Sequence, residues 1–409
     1  MKRGILLLFV LVLTVAGCAS TKQPTAETYD MASLFIFRSA DGQPIADGVN
    51  HPVKINPVTG AVTSVCVDPL CSHDSADCPL YGIQSAMVSG SRMYYVAGSL
   101  SVAQKTGERS GHCEVRAYDM TNGTVKKLAQ SEDAILLLGA YRDAVYYAAA
   151  VYEDETDGFR YALFRADDRK TTELPLAHEY RSVSASMNTG DLPSIYTFDG
   201  DRILWYAPGE NGYEFYSTDL AGKILEVFDA ANPYMMNGTY ADGYAYYSMM
   251  GENRGNLSSE ADVMRWAYTR EIWRSPLDGG DAELLADNAA AWIIAGDTVY
   301  YTVLEEEPET FTVNDRTETD WLGGKICAMN ADGSGKRLLV TLDCVLDLYD
   351  TETFLGAVTE DGVTYLCLAY REPLENHWYE SGFEYGLSPD TLIVNTATKT
   401  ATITRTPDE

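Results

Sequence analysis

Hydrophobic positions along the chain occur in short runs, and beyond the first twenty residues no long stretch repeats with the period of a helix. Apolar or alternating segments are separated by turns rich in Gly, Asp and Asn, which is the pattern of an all-β protein. Residues 271–304 show it most clearly, with the segments EIWRSPL, AELLAD, AAWIIAG and TVYYTVL. We predict a four-stranded antiparallel meander in this unit.

Two landmarks recur through the chain and set the period of a repeat. The first is an aromatic strand that follows a Gly or Asp turn, with the copies RMYYVAG, AVYYAAAVY, RILWYAPG, YAYYSMM, TVYYTVL and VTYLCLAY. The second is a hairpin whose turn is rich in Asp, Asn and Gly. Its copies turn near Gly60, Gly123, Asp168, Gly222, Gly279, Gly333 and Thr398.

Four strands per unit, repeated at this spacing, predict a β-propeller. A lone twisted sheet leaves one face exposed, whereas sheets stacked around a ring bury both faces and leave only short edges. Seven hairpins predict seven blades of four antiparallel strands in one domain over residues 33–405. Six or eight blades, or a pair of β-sandwiches, are the alternatives. Because the first unit has fewer strands, we expect residues 401–405 to complete it and close the ring.

Insertions interrupt the repeat, and we expect them to be loops. They lie at residues 251–262, 305–320 and 372–385. Loops of a propeller cluster on its faces, where binding usually takes place. Four aromatic residues lie in or beside the insertions: Trp266, Trp321, Trp378 and Tyr379. Aromatic loop residues can stack on sugar rings or anchor a protein partner, so we predict ligand binding here; the alternative is that they cover the blade ends.

The first residues are predicted to be a secretion signal. A basic pair precedes an apolar segment, residues 4–15, that is shorter than the roughly 20 residues of a membrane-spanning helix. The V-A-G-C that ends at Cys18 resembles a bacterial lipobox. The resemblance implies removal of residues 1–17, a lipid on the Cys18 sulfur, and anchoring to the bacterial cell membrane outside the cytoplasm, with residues 18–32 as a flexible tether. An ordinary secretory signal with an incidental cysteine is the alternative.

The formal net charge of -30, from 30 basic and 60 acidic side chains, narrows the classes of partner. Nucleic acids and anionic lipid surfaces attract basic patches. The charge therefore argues against a nucleic-acid-binding protein and against a broad electrostatic contact with lipid. We expect the lipid anchor to make the contact with the membrane.

The most chemically distinctive stretch follows the first hairpin, at residues 66–79, C-V-D-P-L-C-S-H-D-S-A-D-C-P. Its two prolines oppose a strand, so we predict a loop. Three thiols and one imidazole within thirteen residues match the Cys₃His ligand set of a zinc site. The predicted ligands are Cys66, Cys71, His73 and Cys78. Because four protein ligands fill a tetrahedral site, we expect a structural metal rather than a catalytic one.

Oxidation is the alternative fate of these cysteines, because thiols outside the cytoplasm commonly form disulfides. The pairs would then lie among Cys66, Cys71, Cys78 and Cys113. Besides Cys18 the chain has seven cysteines, an odd number that leaves at least one unpaired or three in a metal site. We expect Cys367, in an apolar strand, to be a small core residue.

No catalytic motif accompanies the repeat. The nucleophile elbow, the His-Glu-x-x-His motif, the P-loop, the dinucleotide fingerprint and the sialidase Asp box are all missing from the sequence. We therefore predict a non-catalytic binding scaffold for a protein, peptide or glycan. The alternative is a secreted enzyme that acts on glycans through acidic and Tyr residues in the central cavity.

The repeat sequences also carry a family resemblance. IWRSPLDGGDAELL and ICAMNADGSGKRLL, each preceded or followed by a VYY-type strand, resemble the propeller repeats of uncharacterised bacterial lipoproteins and, more distantly, of TolB-like propellers. The resemblance covers most of residues 33–405, and those lipoproteins carry a similar C-x-D-P-x-C-x-H … C-P run. It implies a membrane-anchored binding scaffold and supplies no catalytic residues.

Overall fold

In the computed structural model, the hydrophobic runs form strands that assemble into antiparallel sheets. The all-β prediction is confirmed. Within the part of the chain that the structure describes, no helix is long and apolar enough to cross a membrane. The described residues are 37–38, 44–47, 51–73, 75, 77–81, 83, 85–102, 109–132, 134–153, 158–175, 178–182, 192–209, 212–228, 236–250, 269–277, 279–303, 309–313, 316–320, 323–346, 354–373, 385–387 and 391–404.

Seven sheets share a core of four antiparallel strands, and we number them as blades 1 to 7. Blade 1 consists of β1 (Phe37–Arg38), β2 (Pro44–Asp47), β3 (Pro52–Ile55) and β4 (Val62–Ser64). Blade 2 consists of β5 (Ala86–Ser89), β6 (Arg92–Val102), β7 (Arg109–Asp119) and β8 (Val125–Ser131). Blade 3 consists of β9 (Ile135–Tyr141), β10 (Ala144–Glu153), β11 (Gly158–Asp167) and β12 (Thr171–Leu174), with β13 (Arg181–Ser182) paired to β11.

The remaining blades keep the same order. Blade 4 consists of β14 (Ser194–Asp199), β15 (Arg202–Gly209), β16 (Gly212–Asp219) and β17 (Ile224–Phe228), and blade 5 of β18 (Met236–Ala241), β19 (Tyr244–Met250), β20 (Arg270–Pro276) and β21 (Glu283–Ala289). Blade 6 consists of β22 (Trp292–Ala295) and β23 (Thr298–Val303), then, after the hairpin β24 (Glu309–Val313) and β25 (Arg316–Asp320), of β26 (Gly323–Asn330) and β27 (Arg337–Leu346). Blade 7 consists of β28 (Phe354–Glu360) and β29 (Val363–Leu368), then, after β30 (Tyr370–Pro373) and β31 (Tyr385–Leu387), of β32 (Leu392–Asn395) and β33 (Thr400–Ile403).

Both sequence landmarks occupy constant places in the blades. The aromatic strand is the second strand of blades 2 to 7, and the predicted hairpin supplies the third and fourth strands of all seven. The prediction that residues 271–304 form one four-stranded sheet is wrong. β20 and β21 belong to blade 5, whereas β22 and β23 belong to blade 6. Only two residues separate β21 from β22. A connection between blades is therefore as short here as a turn within a sheet.

Apolar side chains fill every junction between neighbouring blades. Separate hydrophobic clusters lie between blades 1 and 2, 2 and 3, 3 and 4, 4 and 5, 5 and 6, 6 and 7, and 7 and 1. This closed series of junctions describes a ring, and the predicted seven-bladed β-propeller is confirmed. The largest fully buried side chains are aromatic and include Trp205, Tyr118, Tyr146 and Phe198.

The ring closes by side-chain packing. Val53 and Ile55 of blade 1 pack against Tyr365, Cys367 and Ile393 of blade 7. The expectation that residues 401–405 complete the first blade is wrong, because β33 pairs with β32 inside blade 7. Blade 1 takes its first two strands, β1 and β2, from the N-terminal segment and needs no C-terminal strand.

Two insertions predicted as loops contain strands. β24 and β25 pair with each other within residues 305–320. β30 and β31 flank most of residues 372–385 and extend the sheet of blade 6, because β30 pairs with its fourth strand, β27. The loop prediction is therefore wrong for residues 305–320, whereas residues 374–384 of the second insertion lie outside the described residues. The third insertion, residues 251–262, lies outside the described residues.

Short turns and long connections lie at opposite ends of the blades, because neighbouring strands run in opposite directions. In blades 2 to 7, two-residue turns join the first and second strands, as at residues 90–91, 200–201 and 296–297, and the third-to-fourth hairpins reverse at the same end. We call this end the turn face. The second-to-third connections and the connections between blades, including residues 65–85, lie at the other end, which we call the loop face.

A polar residue at the end of the third strand closes the hairpin on the turn face. In five blades the side chain of an Asn or Asp accepts hydrogen bonds from backbone N–H groups two to four residues later. These residues are Asn56, Asp119, Asp167, Asp219 and Asn395. Such Asx turns hold a chain reversal through local bonds, which explains why the hairpins are visible in the sequence.

Candidate metal centre

The Cys/His loop, residues 66–79, connects β4 of blade 1 with β5 of blade 2 on the loop face. Its described residues contain no strand, as predicted. One ligand atom of each predicted metal ligand lies within 4.8 Å of the other three: Cys66, Cys71, His73 and Cys78. The structure thus brings all four together, and no other group of this kind occurs in the described part of the chain.

Tight turns bring the thiols together. The backbone N–H of Cys71 donates to the carbonyl oxygen of Asp68 at 3.2 Å, and the backbone N–H of Cys78 donates to the carbonyl oxygen of Ser75 at 3.0 Å. A further reversal follows, in which the N–H of Tyr81 donates to the carbonyl oxygen of Cys78 at 3.1 Å. Hydrogen bonds between residues three apart are those of β-turns, so the chain turns three times between residues 68 and 81.

His73 reverses the chain between these turns. Its φ of 64° lies in the left-handed region, where His is enriched relative to bulkier residues. The Nδ1 atom lies 3.7 Å from the sulfur of Cys78. On its other side the imidazole stacks on the ring of His51, with 4.7 Å between centroids and 29° between planes. The stack restrains the imidazole of His73 while Nδ1 faces a thiol.

The loop also fills the junction between blades 1 and 2. Cys66 and Cys78 are 7% and 3% exposed, and they share one hydrophobic cluster with Val65 and Leu80. Residues of blades 1 and 2 complete the cluster: Ile45, Ala86, Val88, Met93, Tyr95, Tyr118 and Met120. The thiols therefore lie inside an interblade core, where a charge is costly unless it is compensated.

Tyr118, on β7 of blade 2, ties the loop to the propeller. Its hydroxyl oxygen accepts a hydrogen bond from the backbone N–H of Val67 at 2.9 Å. Burial raises the pKa of this hydroxyl, and the neighbouring Cys66 and Cys78 act in the same direction. Gly123 leaves room for the contact, because a Cβ there would lie only 3.1 Å from a methyl carbon of Val67.

Burial raises the pKa of the Cys78 thiol to about 12, and the neighbouring Cys71 and Cys66 add to the rise. In the opposite direction, the backbone N–H of Leu80 hydrogen-bonds the Cys78 sulfur and lowers the pKa. Thiolates this close oppose one another's ionisation, because like charges repel in a buried site. A divalent cation would supply the compensating charge, since a coordinating thiol is deprotonated by the metal.

The separations fit a small tetrahedral ion. Zn–S bonds of about 2.3 Å and Zn–N bonds of about 2.0 Å place neighbouring ligand atoms about 3.5–3.8 Å apart. The Cys78 sulfur and the His73 Nδ1 already lie 3.7 Å apart. The widest pair lies at most 4.8 Å apart and would need to approach by about 1 Å. The four residues could therefore hold a metal ion, with no coordination position left for a substrate.

The other described cysteines are not part of this group. Cys113 lies on β7 opposite Gly98 of β6 and is not among the four converging residues. Cys66, Cys71, Cys78 and Cys113 are free thiols in the structure, and the disulfides among them stay a prediction. Cys367 is fully buried in β29, as expected of a core residue.

The remaining predicted site residues lie outside the described residues. They are Cys18, Trp266, Trp321, Trp378 and Tyr379. The insertions that carry the four aromatic residues each follow a second strand, which is β19, β23 or β29.

Sequence reasoning missed His51 and Tyr118. Tyr118 comes near the loop only because blade 2 packs on blade 1, and His51 lies before β3 rather than in the loop. A signal for Tyr118 exists in the repeat. Tyr118 directly precedes an Asx-turn residue at the end of a third strand. In most other blades the residue at the same place is apolar: Ile55, Ala166, Met329 and Val394. A tyrosine at this position marks blade 2 as different.

Comparisons with known proteins give the fold and no family. No protein-family model matches the sequence, and no curated protein matches it. An uncharacterized protein from Listeria monocytogenes EGD-e is similar in structure, with 8% identity, a TM-score of 0.43, and 78% of this chain and 80% of that chain covered. The propeller domain of the Trilobed protease from Pyrococcus furiosus shows 11% identity and a TM-score of 0.41, over 78% of this chain and 93% of that one.

A prolyl endopeptidase shows 10% identity and a TM-score of 0.51, over 90% of this chain and 48% of the endopeptidase. At identities this low, the likeness concerns the fold alone. The closed series of blade junctions makes the chain a seven-bladed β-propeller.

Proposed function

We propose that the protein is a membrane-anchored binding scaffold outside the cytoplasm, in which a structural zinc ion fixes blade 1 to blade 2. The lipid on Cys18 holds the propeller at the membrane, and the loop face receives a protein, peptide or glycan. The observation that carries the proposal is the convergence of three thiols and one imidazole at the junction of blades 1 and 2, where Cys66 and Cys78 are buried and Cys71 and His73 are half-buried.

The donor set favours zinc over other common ions. Thiolate and imidazole ligands suit Zn²⁺, whereas Ca²⁺ and Mg²⁺ prefer oxygen ligands. Three cysteines and one histidine complete a tetrahedral shell, which is the arrangement of structural sites. Because such a site does not exist in the unfolded chain, the free energy of zinc binding adds to the stability of the fold.

Position supports the structural role. The described residues of the connection between blades 1 and 2, within 65–85, form no strand, yet they supply buried side chains to the junction. An ion within that connection links a long irregular segment to the two sheets that flank it. A zinc-bound loop of this kind keeps the loop face in one shape, which benefits a surface that recognises a partner.

Metal analysis of the full chain, purified in detergent under reducing conditions, tests the zinc site. We expect about one Zn²⁺ per chain. Cys78→Ser removes a ligand and should abolish stoichiometric zinc, whereas the matched control Cys327→Ser, at a half-buried thiol on β26, should keep it. Disulfide-bonded Cys66, Cys71 and Cys78 in protein isolated from the cell envelope would contradict the zinc site.

Cell fractionation and ligand arrays test the other parts of the proposal. Cys18→Ser should move the protein from the membrane fraction to the soluble extracytoplasmic fraction. Glycan and peptide arrays probed with the full chain should reveal a ligand whose binding weakens in Trp378→Ala or Trp266→Ala. Cleavage of an array glycan would contradict a non-catalytic role, since it would show an enzyme.

A further inference from the structure

The outer strand of blade 4 carries an unusual apolar surface. In β17, whose sequence is I-L-E-V-F, three of five side chains are large, aliphatic and exposed. Ile224 is 41% exposed, Leu225 49% and Val227 62%. Among the described residues, β17 pairs with β16 alone, so its second edge faces outward from the ring.

The outer strands of the other blades differ. The described outer strands β8, β21, β27 and β33 each carry a single exposed large aliphatic residue: Val125, Leu284, Leu338 and Ile403. Edge strands are usually protected by charge or by shortness, as in the V-K-K segment of β8 and the three residues of β4. β17 carries one charged residue, Glu226, beside three exposed aliphatic side chains, and is therefore less protected than these strands.

The propeller itself shows that an outer strand can accept another strand. On blade 6 the fourth strand, β27, pairs with β30, in the register Val345 opposite Arg371 and Leu346 opposite Tyr370. β30 comes from the insertion of blade 7 and adds to blade 6 from outside the repeat. The geometry of a blade edge is therefore compatible with antiparallel strand addition.

Charge decides which kind of strand fits. Glu226 lies at the centre of β17. An antiparallel pair with β17 of a second copy, centred on this residue, would place two Glu226 carboxylates opposite each other, and like charges opposite each other destabilise a strand pair. Two chains of net charge -30 also repel as whole molecules. A basic residue opposite Glu226 gives a favourable cross-strand pair instead.

We propose that β17 is a docking edge for an extended, basic strand of a partner protein, which adds to blade 4 as a fifth antiparallel strand. Backbone hydrogen bonds to the open edge provide affinity, and aliphatic side chains of the partner cover Leu225 and Val227. A Lys or Arg of the partner pairs with Glu226 and selects against acidic strands. This rim site is separate from the loop face and does not depend on the metal centre.

Two labelled synthetic peptides test the docking edge on the full chain by fluorescence anisotropy. Both alternate valine and threonine; one has a lysine at its centre and the other a glutamate. We expect the lysine peptide to bind at least tenfold more tightly. Glu226→Lys should reverse this preference. Val227→Lys should weaken binding of the lysine peptide at least tenfold, because a charge at the edge opposes strand addition.

Leu284→Lys is the matched control, because it places the same charge at a 47% exposed residue on the outer strand of blade 5. It should leave peptide binding unchanged, and all variants should unfold at the temperature of the wild type, since every altered residue is exposed. No binding of either peptide, equal binding of both, or equal weakening by Val227→Lys and Leu284→Lys would each overturn the proposal. Self-association that Val227→Lys abolishes would also overturn it, in favour of a second copy.

Discussion

The hydroxyl oxygen of Tyr118 accepts a hydrogen bond from the backbone N–H of Val67 at 2.9 Å, across the junction of blades 1 and 2. Tyr118→Phe removes this acceptor and should cost about 1 kcal/mol of unfolding free energy. It should also free the start of the Cys/His loop, so the zinc ion that we propose there should pass to a chromophoric chelator several-fold faster than from the wild type.

Tyr146→Phe is the control for this prediction. The hydroxyl of Tyr146 donates to the carbonyl oxygen of Leu220 at 3.4 Å, in the junction of blades 3 and 4. Loss of this hydrogen bond should lower the unfolding free energy without changing the rate of zinc release. Equal release rates in the two variants would show that Tyr118 does not position the loop.

Ile55 tests how the ring is closed. It is 1% exposed and packs with Tyr365 and Ile393 of blade 7. Ile55→Ala should lower the unfolding free energy by about 2–4 kcal/mol, because it leaves a cavity at the junction that completes the ring. Ile403→Ala, at a 44% exposed residue on β33, should change stability by less than about 0.5 kcal/mol. Urea denaturation measures both, and similar losses would argue against closure by packing.

Asp167 makes the stability of blade 3 depend on pH. The backbone N–H of Arg169 is the main cause that lowers the pKa of this carboxyl to about 2, with help from Arg165 and the N–H of Lys170. The unfolded-state pKa is about 3.9, so the stabilisation is complete above that pH and is lost as the pH falls toward 2. The Asp167 side chain is 20% exposed, so we expect Asp167→Asn to cost about 1–2 kcal/mol at pH 7.

Urea titrations of wild type and Asp167→Asn between pH 7 and pH 2 measure this effect. The difference in unfolding free energy between the two proteins should be constant above pH 5 and should shrink below pH 4. Asp361→Asn, at an exposed turn residue of blade 7, should match the wild type throughout. A gap for Asp167→Asn that persists unchanged at pH 2 would contradict the assignment.

Position 238 on β18 requires glycine, because the side chain of Tyr196 in blade 4 leaves no room for a Cβ. A Cβ there would lie 2.2 Å from the hydroxyl oxygen of Tyr196, which donates to the carbonyl oxygen of Tyr246 at 2.6 Å. Gly238→Ala should therefore destabilise the protein by about 3 kcal/mol, as overpacking in a full core does. Gly139→Ala, with its nearest contact at 3.0 Å on the ring of Phe198, should cost less. Thermal unfolding that ranks the two variants in the opposite order would contradict this.

The hairpins were predictable because their information is local. An Asn or Asp that bonds its own turn, as Asn56 and Asp219 do, leaves a pattern within a few residues. The boundaries of the blades were not predictable in the same way. Whether β21 continues to β22 within one sheet or into the next blade depends on which strands hydrogen-bond, and the two-residue connection has the length of a turn within a sheet.

The four candidate metal ligands were predicted from the sequence because all four lie in one short loop, where spacing alone predicts their convergence. Their surroundings were not found. His51 stacks on His73, and Tyr118 holds Val67, only because two blades pack together. Strand addition by β30 was missed for the same reason, since its pairing with β27 joins segments from different blades.

By itself, the amino-acid sequence determined the all-β class, the number of repeats and the composition of the Cys/His loop, because strand patterns, Asx turns and ligand spacing act over a few residues. The tertiary structure decided how the ring closes, which strands share a blade and what surrounds the thiols. Those features arise from contacts between residues far apart in the chain, and packing in three dimensions selects among arrangements that the local pattern leaves equal.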